Sequence, residues 1–174
     1  MKIYTTATTQ FSNDYRGFNN IAALYLKDGD RSNAKIWLDK ANAISSNEKA
    51  VLENYGIIAS QEGNIDKAQT LYNQSNANEI NQGILDIKQG DYKSAVNKLK
   101  GSGYNATLAK IMNGNNATTT NNSAKGHYLN AVSAARNGNK DLAIQNLNKA
   151  FELDNNMKDM AKEDIEFNGI YPTE

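Results

Sequence analysis

One stretch decides the fold: Tyr25-Leu-Lys-Asp-Gly29-Asp-Arg-Ser-Asn-Ala34-Lys-Ile-Trp-Leu38-Asp-Lys-Ala41. Its first residues end one predicted helix, and Gly29 lies in a tight turn. Ala34, Leu38 and Ala41 follow at the i, i+4, i+7 spacing that places side chains on one face of a second helix. The stretch therefore predicts a hairpin of two helices.

The same pattern returns along the chain. Gly63 follows Gly29 after 34 residues, and Ala68 and Tyr72 then take the places of Ala34 and Leu38. Such a period, with a glycine turn between two helices, is a repeat signature. Further glycine turns follow at intervals of 27, 24 and 24 residues, at Gly90, Gly114 and Gly138. The later repeats are therefore shortened.

Helix and turn signals give a complete set of expected elements. Helices are predicted at residues 15–27, 31–44, 48–62, 65–75, 77–89, 92–100, 104–112, 123–136 and 140–153. The repeat around Gly114 is degenerate, because β-branched and asparagine residues give residues 116–122 a low helix propensity. We expect this repeat to be the weakest hairpin.

The repeat period also predicts the domain organisation. Projected backwards, it places Tyr4 and Ala7 where Leu38 and Ala41 lie, so residues 1–12 are interpreted as the second helix of a truncated repeat. The chain is accordingly interpreted as a single domain over residues 1–174 and as a fragment of a larger protein. The repeats are assigned to residues 15–46, 47–75, 77–101, 104–122 and 123–154, followed by a capping helix at 155–168.

Three of these repeats resemble the tetratricopeptide repeat family. The residues that carry the resemblance are Phe18, Ile21, Ala22, Tyr25, Gly29, Ala34, Leu38 and Ala41; Leu52, Tyr55, Gly56, Ala59, Gly63, Ala68, Tyr72 and Ser75; and Tyr128, Ala131, Ala134, Gly138, Ala143, Leu147 and Ala150. The resemblance implies an all-α, right-handed α-solenoid of antiparallel helix hairpins. The proline that often closes such a repeat is absent.

Composition excludes several function classes. Lysine and arginine number 19, as do aspartate and glutamate, so no basic field attracts nucleic acid. No apolar run has the length of a membrane span, so this segment is not expected to insert into a membrane. The chain contains no cysteine, which excludes disulfides and thiol catalysis.

No motif predicts an enzyme, a cofactor or a metal site. His127 is the only histidine, so a two-histidine metal site cannot form, and we interpret it as an ordinary helix residue. Glu163, Asp164 and Glu166 form an acidic cluster beside lysines. We interpret this cluster as a solvated helix face and not as an acid–base pair.

The tetratricopeptide resemblance also implies a binding surface. In that family the first helix of each hairpin lines a concave groove that receives peptides or partner helices. The matching positions here are Arg16, Asn19, Ala23, Leu26, Glu53, Ile57, Ser60, Ile80, Ile84, Ile87, Tyr128, Val132 and Arg136. The lysines with which some members clamp a C-terminal carboxylate are missing, which argues against an acidic C-terminal tail as the partner.

The isoleucine ridge within this set has two interpretations. Ile80, Ile84 and Ile87 follow the i, i+4, i+7 spacing of one helix face. That face could hold an apolar peptide, or it could be core, because shortened repeats bring neighbouring helices closer. The core interpretation is favoured.

The predicted function is a non-enzymatic scaffold that binds a protein or peptide partner through this groove. One alternative is a spacer that holds flanking domains apart. Another is a glycan-associated module, whose candidate sugar-stacking residues are Tyr25, Trp37, Tyr55 and Tyr128. A weaker resemblance, carried by segments such as Asn13-Asp-Tyr-Arg16, is to envelope proteins of Gram-negative bacteria and suggests the periplasm or outer membrane; the alternative location is the cytoplasm.

Overall fold

The computed structural model describes residues 12–170. Within that range the chain forms ten α-helices, a final 3-10 turn and no β-strand, so the all-α prediction is confirmed. The helices are α1 (Tyr15–Lys27), α2 (Arg31–Ile44), α3 (Lys49–Gln61), α4 (Ile65–Ser75), α5 (Glu79–Gln89), α6 (Tyr92–Lys98), α7 (Tyr104–Met112), α8 (Ala124–Arg136), α9 (Lys140–Leu153) and α10 (Met157–Glu163), and the turn covers Ile165–Phe167.

Most predicted helix bounds agree with these. Five of the nine predicted helices before the capping segment begin and end at the expected residues, and the other four differ by one or two residues at one or both ends. The predicted helix at residues 1–12 lies almost entirely outside the described residues, since only residue 12 belongs to both. The assignment of repeats to domains stays a prediction.

A glycine followed by an aspartate or asparagine precedes the second helix of the hairpins. Gly29 adopts a left-handed φ of 79°, which glycine tolerates without steric cost, and Asp30 then accepts a hydrogen bond from the Asn33 backbone N–H at 3.0 Å. The same glycine conformation and side-chain cap recur at Gly63-Asn64, Gly90-Asp91 and Gly138-Asn139. Local sequence therefore sets where these hairpins turn.

The first compact unit extends to Gln89 and contains α1 to α5. Within it, α1 packs against α2 and α3 against α4 as antiparallel hairpins, and α2 contacts α3 as α4 contacts α5. Its core consists of small and branched apolar residues that are almost fully buried: Ala22, Leu26, Ala34, Leu38, Ala41, Val51, Ile58, Ala59, Ala68, Tyr72, Ala77 and Leu85.

The second compact unit begins at Gly90 and contains α6 to α10 and the 3-10 turn. Here α6 packs against α7, and α8 packs against α9. The core combines residues of α8, α9, α10 and the turn, namely Ala131, Leu147, Ala150, Phe151, Met157, Ala161 and Phe167. The predicted repeat at 77–101 contributes α5 to the first unit and α6 to the second.

Residues 116–122, which have low helix propensity, contain neither helix nor strand. Side chains of α8 and of neighbouring residues hold this segment instead. The Thr119 backbone N–H donates to Asn130 Oδ1 at 2.8 Å, and Asn130 Nδ2 donates to the Thr119 carbonyl at 3.1 Å. The Thr119 hydroxyl donates to the Ser102 carbonyl at 2.9 Å. The missing second helix is therefore replaced by a hydrogen-bonded loop.

The capping segment differs from its prediction. The helix expected over residues 155–168 ends at Glu163, because Asp164 has an extended backbone with φ −82° and ψ 117°. The Asp164 side chain then accepts a hydrogen bond from the Glu166 backbone N–H at 3.0 Å and begins the 3-10 turn. This break directs Asp164 and Glu166 away from a continuous helix face.

Candidate functional site

A pocket with an apolar floor lies between α7, α8 and the C-terminal turn of the second unit. Its volume is about 290 Å³. The apolar lining comes from two helices that each present one face, at Tyr104, Leu108, Ile111, Met112, Leu129 and Val132. The pocket is a groove that opens to solvent.

An ion pair forms one wall of this pocket. Arg136, in the last turn of α8, donates through Nε to Glu166 Oε1 at 2.8 Å, and Nη2 donates to the same oxygen. Arg136 Nη1 donates to the Ile111 carbonyl at 3.0 Å, near the end of α7. The hydrogen bond to Glu166 raises the pKa of the Arg136 guanidinium. Arg136 thus joins α7, α8 and the turn.

Tyr128 forms the second polar contact of the wall. Its hydroxyl donates to Asp164 Oδ2 at 2.8 Å, and its ring stands edge-on to Phe167, with a centroid distance of 5.3 Å and an angle of 89°. Burial and the hydrogen bond to Asp164 raise the pKa of the Tyr128 phenol. Like any phenol, it is protonated at neutral pH and donates to the carboxylate.

The corresponding face of the first unit is polar. Asn19, in α1, is buried and accepts a hydrogen bond from Asn54 Nδ2 in α3 at 2.9 Å. Glu53 Oε1 accepts from the side-chain amides of Asn78 and Asn81, each at 2.7 Å. These bonds link residues at the first helices of successive hairpins.

Comparison with known families now gives the two matched hairpins a name. Residues 15–48, which contain α1 and α2, match the family model described as tetratricopeptide repeat, and residues 124–157, which contain α8 and α9, match it again. These two hairpins are tetratricopeptide repeats. A search of curated proteins found no significant match to the chain.

Tetratricopeptide repeats indicate a role as a protein–protein interaction scaffold. Proteins built from them are typically non-enzymatic and bind protein partners. The pocket lies on α8, which is the first helix of the second matched repeat. It therefore occupies the helix of the repeat on which the family resemblance places partner binding.

Three of the predicted groove residues meet in this pocket. Tyr128, Val132 and Arg136 all line it, as their shared tetratricopeptide position on α8 implies. The sequence interpretation missed the residues of α7, although their spacing was visible as a helical face at Tyr104, Leu108, Ile111 and Met112. It also missed Asp164 and Glu166 as partners of α8, because no local signal indicates a contact across 30 residues or more.

The acidic cluster requires a correction. The interpretation of Asp164 and Glu166 as part of a solvated helix face is wrong, because both residues follow the end of α10 and accept hydrogen bonds from Tyr128 and Arg136. Glu163 remains an exposed helix residue. His127, expected to be an ordinary helix residue, lies in α8, and its buried Nδ1 has no hydrogen-bond partner.

The predicted groove residues of the first unit differ in their accessibility. Arg16 is exposed and pairs with Asp14, with 2.7 Å between Nη2 and Oδ2, and Ala23 is also exposed. Leu26 and Ser60 are buried, and the partly buried Ile57 packs against the core. The residues available to a partner on this face are therefore fewer than the tetratricopeptide pattern implies.

The favoured interpretation of the isoleucine ridge as core is wrong for its first member. Ile80 is 61% exposed, whereas Ile84 and Ile87 are partly buried. The buried residues of α5 include Leu85 and Asp86 instead. The helix is rotated so that the ridge lies at the boundary between core and solvent.

The aromatic residues considered for sugar stacking are engaged within the protein. Trp37 packs against Phe18 with a ring-centroid distance of 6.0 Å, and Lys40 Nζ lies 4.2 Å from the Trp37 ring centroid. The Tyr55 hydroxyl donates to Asp39 Oδ1 at 2.5 Å, and Tyr25 packs against the first core. These contacts leave limited ring surface for a ligand.

The described residues offer neither a metal-binding cluster nor a helix that could span a membrane. Among residues 12–170, no group of three or more histidine, cysteine, aspartate or glutamate side chains is placed to hold a metal ion. Across the same residues, every helix is too short or too polar to cross a membrane.

Proposed function

We propose that this tetratricopeptide protein binds a peptide or partner helix through the first-helix face of its repeats, and that the pocket on α8 is the principal contact. The observation that carries the proposal is the apolar pocket of about 290 Å³ on the first helix of a matched repeat. Peptide and helix recognition commonly depends on apolar anchors inserted into such grooves.

The size of the pocket supports this assignment. A buried cavity of about 150 Å³ can hold a benzene molecule. A groove of about 290 Å³ therefore has room for an aromatic or branched aliphatic side chain. Covering Leu108, Val132 and the 38%-exposed Met112 would remove apolar surface from water, at roughly 25 cal/mol for each Å².

The face of the first unit is proposed as a weaker contact. Arg16 and Ala23 are exposed there, and Glu53 is partly exposed. Glu53 already accepts hydrogen bonds from two side-chain amides of the same chain, so a partner would have to compete with these bonds. We therefore expect this face to contribute less affinity than the pocket.

The test compares three versions of the chain in pull-downs from cell extracts of the source organism. Val132→Glu places a charge in the pocket, and Ile36→Glu, at a residue of α2 that is 51% exposed, is the matched control. We expect the parent and Ile36→Glu to capture the same partner and Val132→Glu to lose it, with unchanged circular dichroism. Capture by all three would reject the pocket, and capture by none would favour the spacer function.

The location is a separate proposal. The similarity of segments such as Asn13-Asp-Tyr-Arg16 to envelope proteins supports a place in the periplasm or at the outer membrane. Fractionation of source cells, followed by detection with an antibody to this chain, tests it. Recovery in the cytosolic fraction would favour the cytoplasmic alternative.

A further inference from the structure

We infer that the segment bound by the α8 pocket carries a bulky apolar anchor with a lysine or arginine beside it. This inference rests on the proposed function and names the chemistry of the partner. It follows from the arrangement of charge around the apolar floor.

The floor itself specifies only the anchor. The residues that α7 and α8 contribute to the floor are apolar or aromatic, and they include Leu108 and Val132. A polar side chain placed there would lose its hydrogen bonds to water without replacement, which is unfavourable. The anchor is therefore a large aliphatic or aromatic residue.

The rim specifies the neighbouring charge. Three charged residues line the pocket, namely Arg136, Asp164 and Glu166, so the carboxylates exceed the cation by one. The guanidinium of Arg136 donates to Glu166 through two nitrogens and to the Ile111 carbonyl through the third. Three of its five N–H groups are thus engaged within the protein, and Glu166 compensates its charge, so Asp164 leaves the rim with a net negative charge.

A partner carboxylate is disfavoured by the same geometry. It would lie near Asp164 and Glu166, and the charge of Arg136 is already shared with Glu166. Like charges placed together across an interface cost binding free energy. A lysine or arginine meets the carboxylates directly, and its aliphatic stem can lie along the apolar floor while the charged group reaches the rim.

The acidic pair alone would not define a site. What makes it informative is its position at one side of the apolar pocket, where Tyr128 fixes Asp164 and Arg136 fixes Glu166. Because both carboxylates are held by hydrogen bonds, their charge stays in one place. A partner with the anchor and the basic residue within one helical turn meets both features together.

The experiment selects peptides from a random 16-residue display library with the full chain, using Val132→Glu for counter-selection. We expect the recovered sequences to share an aromatic or large aliphatic residue with lysine or arginine within four positions. A recovered peptide and its version with glutamate in place of the basic residue are then compared by fluorescence anisotropy. The glutamate version should bind about fivefold more weakly or worse.

High salt and a charge variant test whether the difference in affinity between the two peptides is electrostatic. The difference between the two peptides should shrink at high salt and in Glu166→Gln. Equal affinity of both peptides, or a selection without basic residues, would overturn this inference and leave the proposed function intact. A selection that enriches no peptide after counter-selection with Val132→Glu would overturn both.

Discussion

At the scale of single residues, close packing and burial give several side chains unusual properties. Tyr72 in α4 is 2% exposed, and its ring lies so near Gly56 that a Cβ added there would be 2.4 Å from Tyr72 Cε1. Burial and the negative charge of Glu53 raise the pKa of Tyr72 to about 12. The first core therefore holds a phenol that resists ionisation.

This shift predicts a loss of stability in alkali. The pKa of a tyrosine in the unfolded chain is about 10, whereas the pKa of Tyr72 in the folded protein is about 12. The unfolded state therefore binds fewer protons between those values, and the free energy of unfolding falls as the pH rises through them. We expect Tyr72→Phe to show a shallower fall in urea midpoint across that range.

Other tyrosines also contribute to the loss of stability in alkali. The pKa values of Tyr55 and Tyr128 are also raised by burial, so some alkaline loss persists in the variant. Parallel pH profiles for the parent and Tyr72→Phe would show that Tyr72 does not contribute to the loss.

Gly126 predicts a steric effect of a single methyl group. A Cβ at this position would lie 1.9 Å from the Asn121 carbonyl oxygen, a backbone atom that cannot rotate away. We expect Gly126→Ala to destabilise the protein by about 1–3 kcal/mol, measured by urea denaturation. Gly103→Ser is the control, because its Cβ would contact nothing within 4 Å and serine is a good helix N-cap.

Equal stability of these two variants would contradict the close approach of residues 116–122 to α8. A large loss in Gly126→Ala alone would support it.

At the scale of secondary-structure elements, small residues allow the paired helices to approach each other. Ala34 on α2 is fully buried in the first core, whereas Ala23 on α1 is exposed. Both are interior helix positions, so they differ in packing and not in helix propensity. The comparison isolates the effect of the helix crossing.

Enlarging these residues should have unequal effects. We expect Ala34→Leu to reduce the free energy of unfolding by about 1–3 kcal/mol because it overpacks the crossing. Ala23→Leu should change it by less than about 0.5 kcal/mol. Urea denaturation followed by circular dichroism measures both, and a neutral Ala34→Leu would mean that the α1–α2 crossing has room to spare.

The loop that replaces a helix depends on one side chain. The Asn130 side chain accepts a hydrogen bond from the Thr119 backbone N–H and donates one to the Thr119 carbonyl. Thr119 is only 7% exposed. Removing the amide in Asn130→Ala leaves the Thr119 N–H without a partner, which we expect to cost about 1–3 kcal/mol. Hydrogen exchange should accelerate at residues 118–121.

Asn148→Ala is the matched control for this experiment. Asn148 lies on the exposed side of α9, outside the contacts that hold Thr119. Unchanged exchange at residues 118–121 in Asn130→Ala would show that other bonds, such as that from Thr119 to Ser102, hold the loop by themselves.

Sequence and structure agree best at this scale. The Gly29-Asp30 turn and its relatives were predictable because a left-handed glycine and a capping side chain are local signals. The end of α10 was not, because Asp164 leaves the helix to meet Tyr128, a residue of another helix. Local helix propensity contains no information about that contact.

At the scale of the whole molecule, the chain divides into two compact units with separate cores, one ending at Gln89 and the other beginning at Gly90. Fragments of this size can bury enough surface to fold alone. We expect residues 1–89 and residues 90–174, produced separately, each to show helical circular dichroism and a cooperative melt.

A second division of the chain provides the control. Cutting after Gly63 separates α3 from α4, which pack as one hairpin, so α3 should lose its helicity and fragment 1–63 should melt less cooperatively than fragment 1–89. An unfolded 1–89 fragment would show that its core needs residues of the second unit.

The repeat architecture can be read from the sequence, because its signals are local: the glycine turns, the capping residues and the alanines at crossings such as Ala34 and Ala68 act within a few residues. The pocket cannot, because it depends on tertiary contacts. Its walls bring α7 together with Arg136 and Glu166, and a contact between residues 30 positions apart forms only after the intervening helices have packed. The partner chemistry proposed for this protein depends on that contact, since it pairs Arg136 with Glu166 and leaves Asp164 as the uncompensated charge of the rim.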